Sequence, residues 1–348
     1  MLKFGIIGCG AIAHAHVDAI ASIPDAQLVA CCDINQAKLQ AFAASHGDLQ
    51  AYTDYHDLLA SDVDVVTIAT PHYRHAEMTI AALAANKHVI CEKPMAKTVS
   101  EADAVLAAAQ ASQGTYTVCF QNRFNPSFVA LKQLLAQGTL GQLKGVKCEL
   151  TWHRDNAYYQ AADWKGRWAT EGGGVLINQA IHTLDALCWL CGQPQRVKGR
   201  IMTSLLDGAV EVEDAAMATV VLPHQVNAVV FATNDYSSDP DPVMTFDGTQ
   251  GTATLTMHEL RLNGELIEDQ VGAVVAGKKA VWGDGHRRLF RAFVNRIEGI
   301  DDPLIGYLPQ TDGRDALALL TGIYQSSASG NWIELAKSGD LLDKRLEE

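Results

Sequence analysis

Apolar and polar positions follow two rhythms along this chain, and the change from one to the other divides it. Over the first 120 residues, short continuous apolar runs, among them FGII, LVACC and VVTIAT, alternate with longer stretches of helical spacing. Runs that are apolar at every position suit strands covered on both faces, whereas a half-exposed strand alternates. The pattern predicts strands at 3–7, 28–32, 63–69, 88–91 and 115–120, with helices near 11–22, 35–45, 55–60, 75–86 and 99–112. Strands and helices in this order make a doubly wound parallel sheet. After residue 121 the spacing predicts a helix at 126–137 and a long alternating strand at 144–153. From 195 to 268 the chain is strand-like with turn signals, as one antiparallel or mixed sheet would be. Helices near 285–298 and 312–328 and a short strand at 332–335 complete it. The 348 residues therefore read as two α/β domains, 1–120 and 121–348.

Composition narrows the partners. The net charge is −13 and no long basic run is present, which speaks against nucleic acid and anionic membrane surfaces. No uncharged apolar stretch reaches the roughly 18 residues that span a bilayer, and no charged leader with a cleavage site precedes the first strand, so a cytoplasmic location is expected. The eight cysteines lie inside apolar stretches, as buried thiols in a reducing compartment would. Cys188 and Cys191 form a CxxC, but no second such pair and no nearby His pair completes a ligand set. They read as two small apolar residues on a helix, and no metal site is expected.

The first turn carries chemistry. Gly8-Cys9-Gly10-Ala11-Ile12-Ala13 comes directly after the first strand and opens a helix. Gly8 allows the tight turn, Gly10 lets a pyrophosphate approach the backbone, and Ala13 keeps helix and sheet close; the amides at Ala11 and Ile12 then face the phosphates. Asp33, ending the second strand, can accept both ribose hydroxyls and would repel a 2′-phosphate. Residues 34–37 (INQA) hold no Arg to receive one, so NAD is expected over NADP. An S-adenosylmethionine methyltransferase shares this opening, but the residues at the later strand ends weigh against it. In ICEKPM at 90–95, Lys93 leaves the end of another strand, where a nicotinamide would lie. Thr70-Pro71-His72-Tyr73-Arg74-His75 leaves a further strand end and should wall the same crevice.

At 172–191 the chain reads GGGVLINQAIHTLDALCWLC, an apolar, helix-length stretch interrupted by Asn178, His182 and Asp185. At steps of four and three they lie on one side of a helix and form a single stripe, either tied up inside the protein or lining a cleft where chemistry happens. The loop at 152–171, WHRDNAYYQAADWKGRWATE, is aromatic and polar. Aromatic faces and bidentate guanidinium groups suit sugars and carboxylates, making Tyr158, Trp164 and Arg167, with Arg123, candidate substrate contacts.

The glycine motif, Asp33, Glu92-Lys93-Pro94, QNRFNP at 121–126 and GGGVLINQAIHTLD at 172–185 together resemble the Gfo/Idh/MocA oxidoreductases, the relatives of glucose–fructose oxidoreductase and inositol 2-dehydrogenase, over nearly the whole chain. The resemblance implies a Rossmann domain holding NAD(P). It also implies an α/β domain with an open, largely antiparallel sheet that binds substrate and pairs chains into homodimers or homotetramers. The implied activity is dehydrogenation of a secondary alcohol in a sugar, inositol or other polyol. By matching positions, Lys93 is the active-site lysine, His182 the catalytic histidine and Gln121 a residue beside the nicotinamide; Thr70, Pro71 and Glu92 are cofactor-pocket positions. The family pattern D-x-G-x-H-x-x-D has Asn178 and Ala180 here. An amide cannot take up a proton, so Asn178 is left to orient or polarise a hydroxyl. Branches acting on nucleotide-linked sugar acids look similar at this point, which keeps a nucleotide-sugar-acid 3-dehydrogenase open. A non-catalytic NAD-binding sensor is a third reading, against which Lys93 and His182 speak. In the expected mechanism His182 is the general base, the Lys93 ammonium stabilises the charge on the same oxygen, and Asp185 anchors the helix or the imidazole. Lys93 and His182 come from separate domains, so the substrate is expected in the seam.

Overall fold

A computed structural model describes residues 1–269 and 284–335. The described chain separates into two compact units, Met1–Gln121 with Asp284–Gln310, and a second made of the described residues of Asn122–Gly283 and Thr311–Glu348.

In the first unit, β1 (Leu2–Ile7), α1 (Ala11–Ala21), β2 (Ala26–Cys32), α2 (Gln36–His46), β3 (Gln50–Tyr52), α3 (Tyr55–Ala60), β4 (Val65–Ile68), α4 (His72–Ala84), β5 (His88–Glu92), α5 (Val99–Ala111) and β6 (Tyr116–Cys119) succeed one another. Their strands form one sheet in the order β3-β2-β1-β4-β5-β6, every pair parallel. The apolar runs are buried as their composition requires: Phe4, Ile6, Val65, Val66, Ile68, Val89 and Ile90 are all inaccessible. β3 has no signature in the sequence because three largely exposed residues carry no period. Helix starts are set by capping chemistry. Thr98 and Glu101 form a reciprocal capping box on α5, and Pro71 starts α4 three residues earlier than its apolar spacing suggests.

The second unit begins with α6 (Pro126–Ala136), β7 (Leu143–Thr151) and the short α7 (Asn156–Gln160), then α8 (Val175–Asn178) and α9 (Ile181–Cys191). Next come β8 (Arg196–Met202), β9 (Ala215–Val221), β10 (Asn227–Thr233), β11 (Val243–Gly248), β12 (Thr252–Leu255), β13 (Glu259–Leu262) and β14 (Glu265–Asp269). After α10 (Gly285–Glu298) the unit closes with α11 (Gly313–Ser329) and β15 (Ile333–Glu334). Its nine strands run β14-β13-β12-β11-β7-β10-β9-β8-β15, antiparallel except where β7 meets β10. The expected mixed, largely antiparallel sheet is present. One face is covered by helices; on the other, Met202, Met217, Val229 and Phe231 stay exposed, with Phe231 directly opposite Met217.

The segment 284–310 differs from the sequence reading, which placed it with the second domain. α10 packs in the first unit: Phe290 stacks on Phe4 with ring centroids 6.4 Å apart, and the Arg291 guanidinium donates to the Ser22 carbonyl at 2.7 Å. The Thr117 hydroxyl on β6 donates to the carbonyl of Pro309 at 2.8 Å. Periodicity identifies an amphipathic helix but not which core receives its apolar side. No helix among the described residues is long and apolar enough to cross a membrane.

Because Phe4 and Phe290 are both fully buried, Phe290→Ala is expected to destabilise the first unit by about 3–5 kcal/mol, and Phe290→Leu by much less. Urea midpoints monitored by a probe in that unit check this.

Candidate functional site

In an open parallel sheet the strand carboxyl ends flanking the order reversal form the natural ligand edge. That reversal lies between β1 and β4, and the sequence-selected residues of the first unit stand at these ends. Gly8 has φ of +98°, and a Cβ there would meet the Ala69 carbonyl oxygen at 2.6 Å, so the turn after β1 admits glycine alone. Gly10 has nothing within 4 Å of a built Cβ, leaving its amide edge open at the start of α1 with Ala11 and Ile12 beside it. Ala13 is fully buried. The Asp33 carboxylate accepts from the Cys9 amide at 2.9 Å and the Asn35 amide at 2.8 Å, which fixes it over the glycine turn. These residues fit a dinucleotide: an open backbone cradle, a helix N-terminus, and a carboxylate at the neighbouring strand end where a ribose would lie.

Thr70, Pro71, Lys93 and Gln121 also stand at strand ends, after β4, β5 and β6. Lys93 is half-buried and its peptide to Pro94 is cis; Gln121 is buried. Two expectations need correction. His75 is 1% exposed; its two ring nitrogens lie 2.6 Å from the Pro94 carbonyl oxygen and 2.8 Å from that of Thr70, between the two loops. Burial holds that imidazole below its usual value. Glu92 is likewise turned inward: one oxygen meets His16 Nε2 at 2.9 Å and the other accepts from the Lys93 amide at 3.2 Å. Burial would raise its carboxyl, but the hydrogen bond from His16 and the nearby His286 and Lys93 bring it well below the ordinary range.

In the second unit the 172–191 stretch is not one helix. It breaks between α8 and α9, where the Ala180 amide reaches back to the Val175 carbonyl, five residues earlier, at 2.8 Å. Such wide turns recur at functional sites. The continuous stripe is thus corrected: Asn178 ends α8, whereas His182 and Asp185 lie on α9. The glycines now have a reason. A Cβ on Gly173 would strike the Tyr324 hydroxyl at 2.0 Å, and one on Gly174 the Glu213 carbonyl oxygen at 1.9 Å. Glu213, which sequence reasoning missed, accepts from the amides of Gly174 at 2.9 Å and Leu176 at 3.0 Å and from the Tyr324 hydroxyl at 2.9 Å. It caps α8 from a distance. Glu171, also missed, is wholly buried; it accepts from the Gly166 amide at 2.5 Å and from the Asn178 side-chain amide. Asn178 also donates to the Tyr158 hydroxyl at 3.3 Å, and Gln179 does so at 3.2 Å. Asn178, Tyr158 and Glu171 therefore form one polar group. His182 is half-buried, one helical turn after the break.

Arg123 is a further correction. It is 1% exposed, with a bidentate bond to Asp185 at 2.6 and 2.8 Å and a third to Asp312 at 2.5 Å, so it is a buried tie and not a substrate contact. Through these bonds Asp185 ties α9 to Arg123. Of the other loop candidates, Trp164 is half-buried, its carbonyl accepting from the Thr170 hydroxyl at 2.7 Å, and Arg167 is exposed. Cys188 and Cys191 are free thiols on α9.

Known proteins match both parts of the chain. Residues 2–120 match the GFO/IDH/MocA oxidoreductase family, NAD-binding Rossmann fold, and residues 128–254 match the GFO/IDH/MocA C-terminal domain. A trans-1,2-dihydrobenzene-1,2-diol dehydrogenase of Mus musculus is 30% identical over 281 residues, 77% of this chain and 79% of its own. Inositol 2-dehydrogenase of Salmonella typhimurium is 37% identical over 199 residues, 55% of each chain. The structure of the WlbA dehydrogenase from Bordetella pertussis, in complex with NADH and UDP-GlcNAcA, superposes with a TM-score of 0.83 at 29% identity, covering 97% of this chain and 99% of that one.

Two outcomes are expected for the second unit. Arg123→Met leaves the buried Asp185 without its partner and should destabilise by about 3–5 kcal/mol in urea unfolding, whereas a paired Arg123→Met, Asp185→Leu change recovers much of the loss. Burial raises the Glu213 carboxyl to about 7, against its three donors. The folded chain then holds a proton that the unfolded chain releases. Stability from this group is complete below the ordinary carboxyl value and is lost as pH rises through about 7. Glu213→Gln, uncharged throughout, should flatten that part of the urea midpoint plotted against pH.

Proposed function

The chain belongs to the GFO/IDH/MocA oxidoreductase family, and from that premise we propose that it is an NAD-dependent dehydrogenase oxidising a secondary alcohol of a sugar, inositol or other polyol. The observation that carries this reading is the gathering of Gly8, Gly10, Asp33, Thr70, Pro71 and Lys93 at the carboxyl edge of one parallel sheet. Asp33, pinned by the Cys9 amide, favours ribose hydroxyls over a 2′-phosphate and thus NAD over NADP. Bound there, a nicotinamide dinucleotide supplies the hydride acceptor. The chain supplies the rest. His182 removes the hydroxyl proton as general base, Lys93 donates from its ammonium to the same oxygen, and Asn178 orients a hydroxyl of the substrate, with Tyr158 and Trp164 as further contacts. The Asn178 amide nitrogen is itself held by Glu171 and the Tyr158 hydroxyl.

A second reading, a nucleotide-linked sugar acid as substrate, is supported by Asn178 in place of the family's Asp and by the likeness to the WlbA dehydrogenase, solved with UDP-GlcNAcA. The exposed apolar row Met202, Met217, Val229 and Phe231 supports a homodimer or homotetramer paired through the second unit's sheet. Eight free cysteines support a reducing, cytoplasmic setting.

The test is a panel of sugars, inositols, sugar acids and UDP-linked sugar acids with NAD and with NADP, monitored by absorbance of the reduced nicotinamide. On the substrate found, Lys93→Ala and His182→Ala should each lower kcat by about 10²–10⁴-fold, with NAD affinity largely kept in His182→Ala. Turnover surviving in both variants would remove these roles. NAD binding with no turnover across the panel would favour the sensor.

A further inference from the structure

Four side chains from four elements of the first unit meet in its interior: His16 on α1, Glu92 at the end of β5, Cys119 at the end of β6 and His286 in the first turn of α10. One ligand atom of each lies within 4.8 Å of the other three. All four are buried, at 0%, 6%, 0% and 5% exposure. A Glu92 oxygen is 2.9 Å from His16 Nε2 and 3.9 Å from His286 Nε2. Among the described residues no other such group of three or more gathers.

We propose that His16, Glu92, Cys119 and His286 form a structural site for a divalent cation, with zinc as the occupant the donors fit. Two imidazole nitrogens, one carboxylate oxygen and one sulfur are zinc's usual ligands. At bonds of about 2.0–2.3 Å a tetrahedral zinc holds its ligands roughly 3.3–3.7 Å apart, so closing this cluster takes side-chain shifts of about 1 Å. Charge fits as well: a dication with one carboxylate, one thiolate and two neutral imidazoles is neutral overall, which buried surroundings favour. Burial and Glu92 keep the Cys119 thiol protonated in the metal-free protein. On binding, the sulfur–hydrogen bond is therefore exchanged for a sulfur–metal bond and the proton passes to solvent. Four protein ligands leave no open position, the mark of a structural and not a catalytic zinc. Such an ion would tie α10 to β5, β6 and α1 and hold the peptide that leads into Lys93.

The experiment uses the full chain stripped by chelator and desalted, then given zinc or cobalt. Expected are one zinc per chain retained through desalting by elemental analysis and a higher thermal midpoint. Cobalt should give a near-ultraviolet thiolate charge-transfer band with intense four-coordinate visible bands. Cys119→Ala should abolish the charge-transfer band, and it and His286→Gln should each weaken zinc binding by at least ~100-fold. The exposed His14 and His46 rings, 2.9 Å apart, are the competing pair; His46→Ala should leave stoichiometry and band unchanged. No zinc retained by the wild-type chain, no thiolate band with cobalt, or equal retention in both ligand variants would overturn the site. The cobalt spectrum of the wild-type chain decides even if one variant fails to fold.

Discussion

Burying a carboxyl group costs stability unless hydrogen-bonding partners meet it, and this constraint shapes both units. Glu92, Glu171, Asp185 and Glu213 are all buried, and each is met differently. Glu92 takes an imidazole and the amide of the next residue, Asp185 a bidentate guanidinium, Glu213 two helix-start amides and a phenol, and Glu171 a backbone amide and the Asn178 side chain. Because each requirement is directional, each carboxylate also sets the place of the backbone that satisfies it. Lys93, α8, Asn178 and α9 are positioned by buried acids.

The two glycine runs answer to different demands. In the first unit Gly8 is required by the neighbouring strand and Gly10 by open space, the arrangement for a ligand that must approach a helix N-terminus. In the second unit Gly173 and Gly174 are required by Tyr324 and by the Glu213 backbone, and the space they leave is filled by protein. A run of glycines is therefore evidence of close approach, and only the surroundings say whether a ligand or the chain itself makes that approach.

Electrostatics separates the roles of residues that look alike in the sequence. Arg123 and Arg167 are equally suited by type to receive a carboxylate. One is wholly buried with two acidic partners and serves as a tie, while the other is exposed. His75 and His182 are both near family motifs, yet His75 is enclosed between the Pro94 and Thr70 carbonyls and His182 is half-buried past a helix break.

Local pattern alone was enough for the alternation of strands and helices, the glycine turn, the Asp33 partner and the sheet character of the second unit. These depend on period, turn chemistry and short-range backbone geometry, all written in neighbouring residues. Tertiary structure alone decided that α10 joins the first unit, that α8 and α9 are separate, and that Arg123 is a buried tie. It alone placed Glu171 behind Asn178 and Glu213 at the start of α8, and brought His16, Glu92, Cys119 and His286 together. The partners in these outcomes lie far apart along the chain, as far as the 286 positions between Phe4 and Phe290. Burial, which makes such partners obligatory, is a property of the packed chain and leaves no local mark at either end.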